Sequence, residues 1–262
     1  MKIVVLMKEV PDTWGDRTLD LETGLLNRAG SDLVLDEITE RALEVALTHR
    51  DSHPGTEVVL LAAGPATVPN SLRKGLAMGA DRAVHVLDDA LLGADLSLTA
   101  ETLAAAVRHI GFDLVIAGNL STDGGGGVLP SMLAELLGVA GVSSLSSVDI
   151  TDSTVAGRRN IESGAFEVSA ALPAVISITE ALPDARFSNF KGIMAAKKKP
   201  FETLSLADLG IAVDESTGRS IIIAVAQRPA RTAGIRIEDD GDAGQQIADF
   251  LFQNQLIKGR SE

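Results

Sequence analysis

Strand-like and helix-like patterns alternate along the first half of the chain. Residues 3–7, 58–61, 82–86 and 114–117 predict strands, and the unbroken apolar run of the first is typical of a strand buried on both faces. Apolar residues recur at helical spacing in residues 37–48, 72–77, 98–110 and 129–136. Asp36 stands where the first helix needs its cap, and Gly111 and Gly138 stand just after the ends of two later helices.

This alternation predicts an α/β fold, a mostly parallel, doubly wound sheet with helices on both faces, like a Rossmann three-layer sandwich. The pattern changes beyond residue 140. Residues 153–158 and 166–172 predict a hairpin extension, and residues 174–178 predict another buried strand. We expect an exposed loop over residues 181–200, a late strand over residues 220–225, and a helix whose apolar face holds Ile247, Phe250 and Leu251.

Composition and charge narrow the class of protein. The chain has 262 residues, of which 45% are hydrophobic, so it can bury a sizeable core. A net charge of −13 argues against nucleic acid as the main partner. The absence of cysteine removes thiol nucleophiles and Cys-based metal sites. The first apolar run is too short for a signal peptide and no run is long enough to span a membrane, so we expect a cytoplasmic protein.

A glycine-rich loop is the first candidate for chemistry. Ligands of such sheets bind beyond the carboxyl ends of the strands, and Gly124–Gly127 lie between a predicted strand and a predicted helix. Their backbone N–H groups and the helix N-terminus would suit a phosphate, although a flexible turn is the alternative. No Walker lysine follows the glycines. The loop after the first strand lacks the Gly-x-Gly-x-x-Gly pattern of dinucleotide-binding dehydrogenases.

Other candidate residues concern surfaces rather than catalysis. We expect Trp14 to pack on the surface of the sheet. The alternative is that Trp14 covers a ligand or the edge of a subunit. Phe187 and Phe190 beside the lysines at 197–199 favour a partner site over a fold-back into the core. The sequence predicts no catalytic residue and no metal site. Four histidines without metal or triad spacing are expected to be structural or superficial: His49, His53, His85 and His109.

Several stretches resemble the beta subunits of electron-transfer flavoproteins, in the same order along the chain. They are residues 4–13, 36–37, 64–65, 77–83, 172–177 and 231–234, together with the loop at Asp123. The most specific stretch is residues 190–199, FKGIMAAKKK, followed by Asp208-Leu209-Gly210. The resemblance covers nearly the whole chain.

The resemblance implies a heterodimer with a larger alpha subunit, which would hold most of the FAD. Such a carrier takes electrons from flavin dehydrogenases, such as the acyl-CoA dehydrogenases of fatty acid oxidation, and passes them towards a quinone-linked acceptor. Residues 1–210 would form a nucleotide-binding domain with a docking loop at 181–200, and residues 211–262 a tail that packs on the partner subunit. The chain would be a carrier subunit and not an enzyme. Two alternatives are an electron-bifurcating member with a second FAD, and a stand-alone adenine-nucleotide-binding regulatory module.

The resemblance also implies an AMP pocket and a docking site. The pocket would comprise Leu6, Leu33, Val34, Leu35, Asp36, Ala63, Asp123, Gly124, Gly125, Gly126, Gly127, Val128, Leu129, Pro130 and Ser131. The dehydrogenase would be docked by Arg186, Phe187, Phe190, Ile193, Met194, Lys197, Lys198 and Lys199, with Phe190 as the apolar anchor. Many relatives have a polar loop in place of Gly124–Val128 and an Asn-Pro pair in place of Val34 and Leu35.

Overall fold

The computed structural model describes residues 1–212, 220–231 and 234–257. Its strands, in chain order, are β1 (Lys2–Leu6), β2 (Glu9–Pro11), β3 (Leu33–Leu35), β4 (Glu57–Ala63), β5 (Arg82–Val86), β6 (Leu114–Gly118), β7 (Ala140–Leu145), β8 (Ser147–Ile150), β9 (Thr154–Ile161), β10 (Gly164–Ala171), β11 (Ala174–Ile178) and β12 (Phe201–Leu204). Its helices are α1 (Glu37–Ser52), α2 (Val68–Met78), α3 (Leu96–Ile110), α4 (Leu129–Leu137), α5 (Phe190–Ala196) and α6 (Ala243–Gln253).

Seven strands form one sheet in the order β12-β5-β4-β1-β6-β11-β7, and all of its pairs are parallel. The chain moves outward from β1 through β4 to β5, and then returns through α3 to β6 on the other side of β1. The direction of winding therefore reverses between β1 and β6, which makes their carboxyl ends the switch point of the sheet.

Alternate residues of each central strand face opposite sides, so the sheet buries two cores. Ile3 and Val5 face the core that α1 and α2 cover, whereas Val4 and Leu6 face the core under α3 and α4. The sheet is thus covered on both faces, and the predicted α/β fold is confirmed. Gly111 and Gly138 adopt φ of +72° and +69° directly after α3 and α4, as expected for glycines that end helices.

Two small antiparallel sheets extend the domain. The three-stranded sheet has the order β10-β9-β8, and its β9–β10 pair is the predicted hairpin. Val155 and Ile150 bury this sheet against the α1 side of the core. The second sheet pairs β2 with β3, directly after β1 and directly before α1. It therefore lies at the switch point.

Three expectations from the sequence are wrong. The segment 181–200 is not a loop throughout, because α5 occupies Phe190–Ala196. Residues 220–225 form no strand; Ser220 donates its N–H to Asp95 Oδ2 at 2.9 Å, and β12 already occupies the sheet edge beside β5. Trp14 is 96% exposed and does not pack on the sheet.

Residues 1–225 and residues 226–262 form two compact units. In the second unit the described element is α6, which has no buried residue and leaves Ile247 and Phe250 partly open to water. This helix holds the apolar residues that the sequence predicted to share one helix face. Among the described residues, none of the helices combines the length and the apolar character needed to cross a bilayer.

Candidate strand-end site and docking surface

The loops after β1 and β6 meet at the switch point of the sheet. The backbone N–H of Asp36, at the start of α1, donates to the carbonyl of Lys8 at 2.9 Å. Gly118 ends β6 against α1, and a Cβ on it would lie only 2.6 Å from Ile38 Cγ2. A larger residue at position 118 would therefore push the glycine loop away from α1.

Asp123 is the electrostatic centre of this site. Its side chain is nearly buried and contacts two cations, Lys8 Nζ at 2.6 Å and Arg28 Nη2 at 3.3 Å. Burial raises the pKa of Asp123, but the hydrogen bond and charge of Lys8 outweigh it, and the pKa lies below its ordinary value. Lys8 Nζ also donates to Ser121 Oγ at 3.1 Å. One carboxylate thus holds two cations beside the glycine loop.

Asp36 caps α1 by position but not with its side chain. Its Oδ2 instead accepts the backbone N–H of Thr122 at 2.9 Å, which ties α1 to the glycine loop. Its Oδ1 is buried and has no hydrogen-bond partner among the described residues. Burial raises the pKa of Asp36, whereas the hydrogen bond from Thr122 lowers it. The site therefore holds one free acceptor atom just below its surface.

The four glycines make an exposed loop between β6 and α4. Gly125 and Gly127 have φ of +61° and +67°, in the left-handed region that favours glycine. A Cβ on Gly124 would lie 3.6 Å from Lys8 Nζ, so the ammonium group rests against this backbone. Cations, open backbone and the start of α4 form a set of donors that fits a phosphate group, and Asp36 Oδ1 could accept a hydroxyl or amino group of a nucleotide.

The remaining predicted pocket residues surround this site unevenly. Leu6 and Leu35 are buried on opposite faces of the sheet, while Leu33 and Val34 are half-buried in β3. Ala63 ends β4, the strand next to β1. At the start of α4, Val128 is exposed, Leu129 is half-buried and Pro130 is buried. Ser131 lines a cavity of about 390 Å³ between α3 and α4, with Ser97 and Met132 among its other lining residues.

Sequence reasoning missed several polar residues at this edge. Lys8 and Arg28 supply its cations, and Arg17 donates to the carbonyl of Thr122. Lys8 lies within residues 4–13, one of the stretches that carried the resemblance, and this stretch was the signal that could have pointed to it. Glu9 belongs to a second buried cluster, in which its carboxylate accepts hydrogen bonds from Thr67 Oγ1 and Ser71 Oγ at the start of α2.

The predicted docking residues lie on and around α5. Phe187 and Phe190 are 100% and 79% exposed, and Ile193 and Met194 are about half exposed. Lys197 and Lys198 follow the helix and are also exposed. These six residues, which we call the α5 surface, are apolar at the centre and basic at one end, as expected for a partner site in an acidic protein.

Two of the predicted docking cations face inward instead. Arg186 binds Glu44 of α1 through Nε and Nη2, and its Nη1 binds Asp51 at 2.8 Å. Lys199 donates to the carbonyl oxygens of Leu76, Gly79 and Ala80, at 2.9, 3.1 and 2.6 Å. Both head groups therefore have partners within the chain, whereas those of Lys197 and Lys198 have none among the residues that the structure describes.

Comparison with known proteins identifies the family. The profile described as "Electron transfer flavoprotein domain" matches residues 23–209. The electron transfer flavoprotein subunit beta of Mycobacterium tuberculosis is 45% identical, over 97% of this chain and 99% of its own length. The chain belongs to the beta-subunit family of electron transfer flavoproteins. The resemblance inferred from residues 190–199 and the other stretches is confirmed.

More distant relatives align over most of the chain as well. The subunit beta of Bacillus subtilis is 29% identical over 96% of both chains. The caffeyl-CoA reductase-Etf complex subunit CarD of Acetobacterium woodii is 35% identical over 80% of both chains. The family is one of flavoproteins that transfer electrons. The roles expected for the individual pocket and docking residues stay predictions.

Proposed function

We propose that this chain is the beta subunit of a heterodimeric electron carrier that serves flavin dehydrogenases, such as acyl-CoA dehydrogenases. FAD, held mainly by an alpha subunit, would supply the redox chemistry, and the complex would pass electrons towards the respiratory quinone pool. The chain itself provides scaffold, nucleotide pocket and docking surface, and performs no catalysis of its own. The observation that carries the proposal is similarity over 97% of the chain to a protein named electron transfer flavoprotein subunit beta.

AMP is the nucleotide that we assign to the strand-end site. The glycine loop, with Lys8 and Arg28 beside it, would hold the phosphate through backbone N–H groups and charge. Asp36 Oδ1, which is buried and unpaired within the part of the chain that the structure describes, would accept a hydrogen bond from the nucleoside. In this assignment AMP fastens the loops after β1 and β6 to α1, and its role is structural.

The complex purified from its own host tests the cofactor assignment. We expect one FAD and one AMP per heterodimer, quantified after denaturation, together with a larger partner subunit. Two FAD and no AMP would point to the bifurcating alternative. A nucleotide with neither flavin nor partner would overturn the carrier assignment and leave the regulatory module.

Phe190→Ala tests the α5 surface. If Phe190 enters an apolar pocket of the dehydrogenase, its loss removes roughly 1.5–3 kcal/mol of binding, or about tenfold to hundredfold in affinity. We therefore expect a higher KM for the carrier in dehydrogenase-linked flavin reduction. The matched control is Phe166→Ala, since Phe166 is 55% exposed on β10, away from α5. An unchanged KM for Phe190→Ala would remove the docking role.

A further inference from the structure

α5, the helix that carries Phe190, is too short to be stable on its own. α5 has seven residues, whereas isolated helices shorter than about 12–15 residues are marginal in water. Ala196 is its one buried residue, so burial of an apolar face contributes little to its stability. The conformation of α5 must therefore come from contacts that the helix and its flanking residues make with the rest of the domain.

Two such contacts hold the start and the middle of the segment. Before the helix, the guanidinium of Arg186 is shared between Glu44 and Asp51 on α1. Within the helix, Gly192 lies so close to α2 that a Cβ would stand 2.3 Å from the carbonyl oxygen of Ala77. These contacts set the distance of α5 from the domain, but neither reaches its carboxyl end, where Ala196 packs into the core.

Lys199 fixes that end. The last carbonyls of a helix have no partner within the helix, and cations at this end are favourable. The ammonium group of Lys199 donates to three carbonyls at the end of α2, two of which also accept other donors, and so attaches the chain three residues after α5. Burial lowers the pKa of Lys199 and the charge of Arg50 acts the same way, whereas Asp81 opposes them. Lys197 and Lys198, by contrast, are exposed.

We propose that Lys199 is a positioning residue that holds α5 in its docking conformation on α2, while Lys197 and Lys198 face the dehydrogenase. The inference rests on the proposed function, because it takes the α5 surface as the docking site. A partner that needs the formed helix binds in proportion to the fraction of molecules in which the helix is formed. Its apparent affinity falls by that fraction when the anchor is lost.

The test compares Lys199→Met with Lys198→Met in the purified flavin-containing heterodimer. Both variants remove one positive charge from the same segment. The first measurement is the KM for the carrier, at several ionic strengths, with the host acyl-CoA dehydrogenase that reduces the wild-type complex fastest. The second is hydrogen–deuterium exchange of α5 in the complex alone, with α3 as the internal reference.

We expect the two variants to differ in kind. Lys199→Met should speed hydrogen–deuterium exchange in α5 but not in α3. If a third of the molecules keep the helix formed, the KM for the carrier should rise about threefold at every ionic strength, with kcat unchanged. Lys198→Met should leave exchange unchanged and weaken the dependence of KM on salt, because it removes a steering charge.

Three results would overturn the inference. Lys199 would be a docking cation if Lys199→Met behaved like Lys198→Met. The helix would not need its anchor if Lys199→Met left KM unchanged while Phe190→Ala raised it. If neither Lys199→Met nor Phe190→Ala changed KM, the α5 surface would not be the docking site, and the proposed function of that surface would fail together with the inference.

Discussion

His49 and His53 stack with their ring centroids 4.1 Å apart at the carboxyl end of α1. The His49 side chain is buried, and in residues 1–212, 220–231 and 234–257 its Nε2 finds no hydrogen-bond partner. Burial first, and then His53, lower the pKa of His49, while the carboxylates of Asp149 and Asp152 oppose the shift. The folded chain therefore favours the neutral imidazole at this position.

This preference makes stability depend on pH. In the unfolded chain His49 has its ordinary pKa of about 6.5, so the unfolded state binds the proton first as the pH falls. The free energy of unfolding should decrease from about pH 7 downwards until the lower pKa of the folded state is passed. We expect a lower urea midpoint at pH 5.5 than at pH 7.5, and a smaller difference in His49→Gln.

A comparison with a second histidine sharpens this measurement. His85 is buried and its pKa is also lowered, so His49→Gln should remove only part of the difference between the two pH values. A wild-type midpoint that stays constant or rises towards pH 5.5 would contradict the expectation.

Single residues were predictable from the sequence only where local context decides them. Asp36 was correctly placed at the start of α1, but its bond to Thr122 spans 86 positions and no local pattern reveals it. Lys8 and Asp123 meet across 115 positions, because β1 and β6 are neighbours in the sheet. Lys199 belongs to a lysine run whose spacing does not say which of its members turns inward.

At the scale of elements, the glycine loop between β6 and α4 can be tested with one substitution, and a neighbouring glycine provides the control. Gly127 has a positive φ, and a Cβ there would lie 3.2 Å from Leu120 Cδ1, whereas a Cβ on Gly126 would make ordinary contact with Leu96. Gly127→Ala should cost about 1–2 kcal/mol through left-handed strain and distort the loop, and Gly126→Ala should not. We expect purified Gly127→Ala complexes to carry less AMP and to have a lower urea midpoint. Equal AMP content in both variants would show that this turn does not shape the nucleotide site.

The elements that the sequence predicted best are those with a regular apolar pattern. Residues 82–86 and 174–178 coincide with β5 and β11, since buried parallel strands carry their signal in consecutive residues. The sequence did not predict α5, because the helix has one buried residue and its apolar positions therefore show no helical period. Residues 220–225 have the composition of a strand, but a strand also needs another strand to pair with, and composition does not report whether one is within reach.

For the whole molecule, the alternation of patterns predicted the fold class but not the order of the strands. The site depends on that order, because the glycine loop reaches Lys8 only if the strand before it lies beside β1. The general rule that ligands bind beyond the carboxyl ends of strands was enough to select the loops after β1 and β6. The cations of the site could be found only once the two loops were placed together.

The division into two units leads to a prediction for assembly. α6 has eleven residues, no buried side chain, and exposed positions at Ile247, Phe250 and Phe252. Such a helix is marginal alone, so we expect the alpha subunit to cover it. A chain ending at Val225 should keep its urea midpoint but bind the alpha subunit at least about a hundredfold more weakly, because several large apolar side chains are lost. Circular dichroism and titration with the separately purified alpha subunit measure both quantities. Wild-type affinity in the shortened chain would place the interface entirely within residues 1–225.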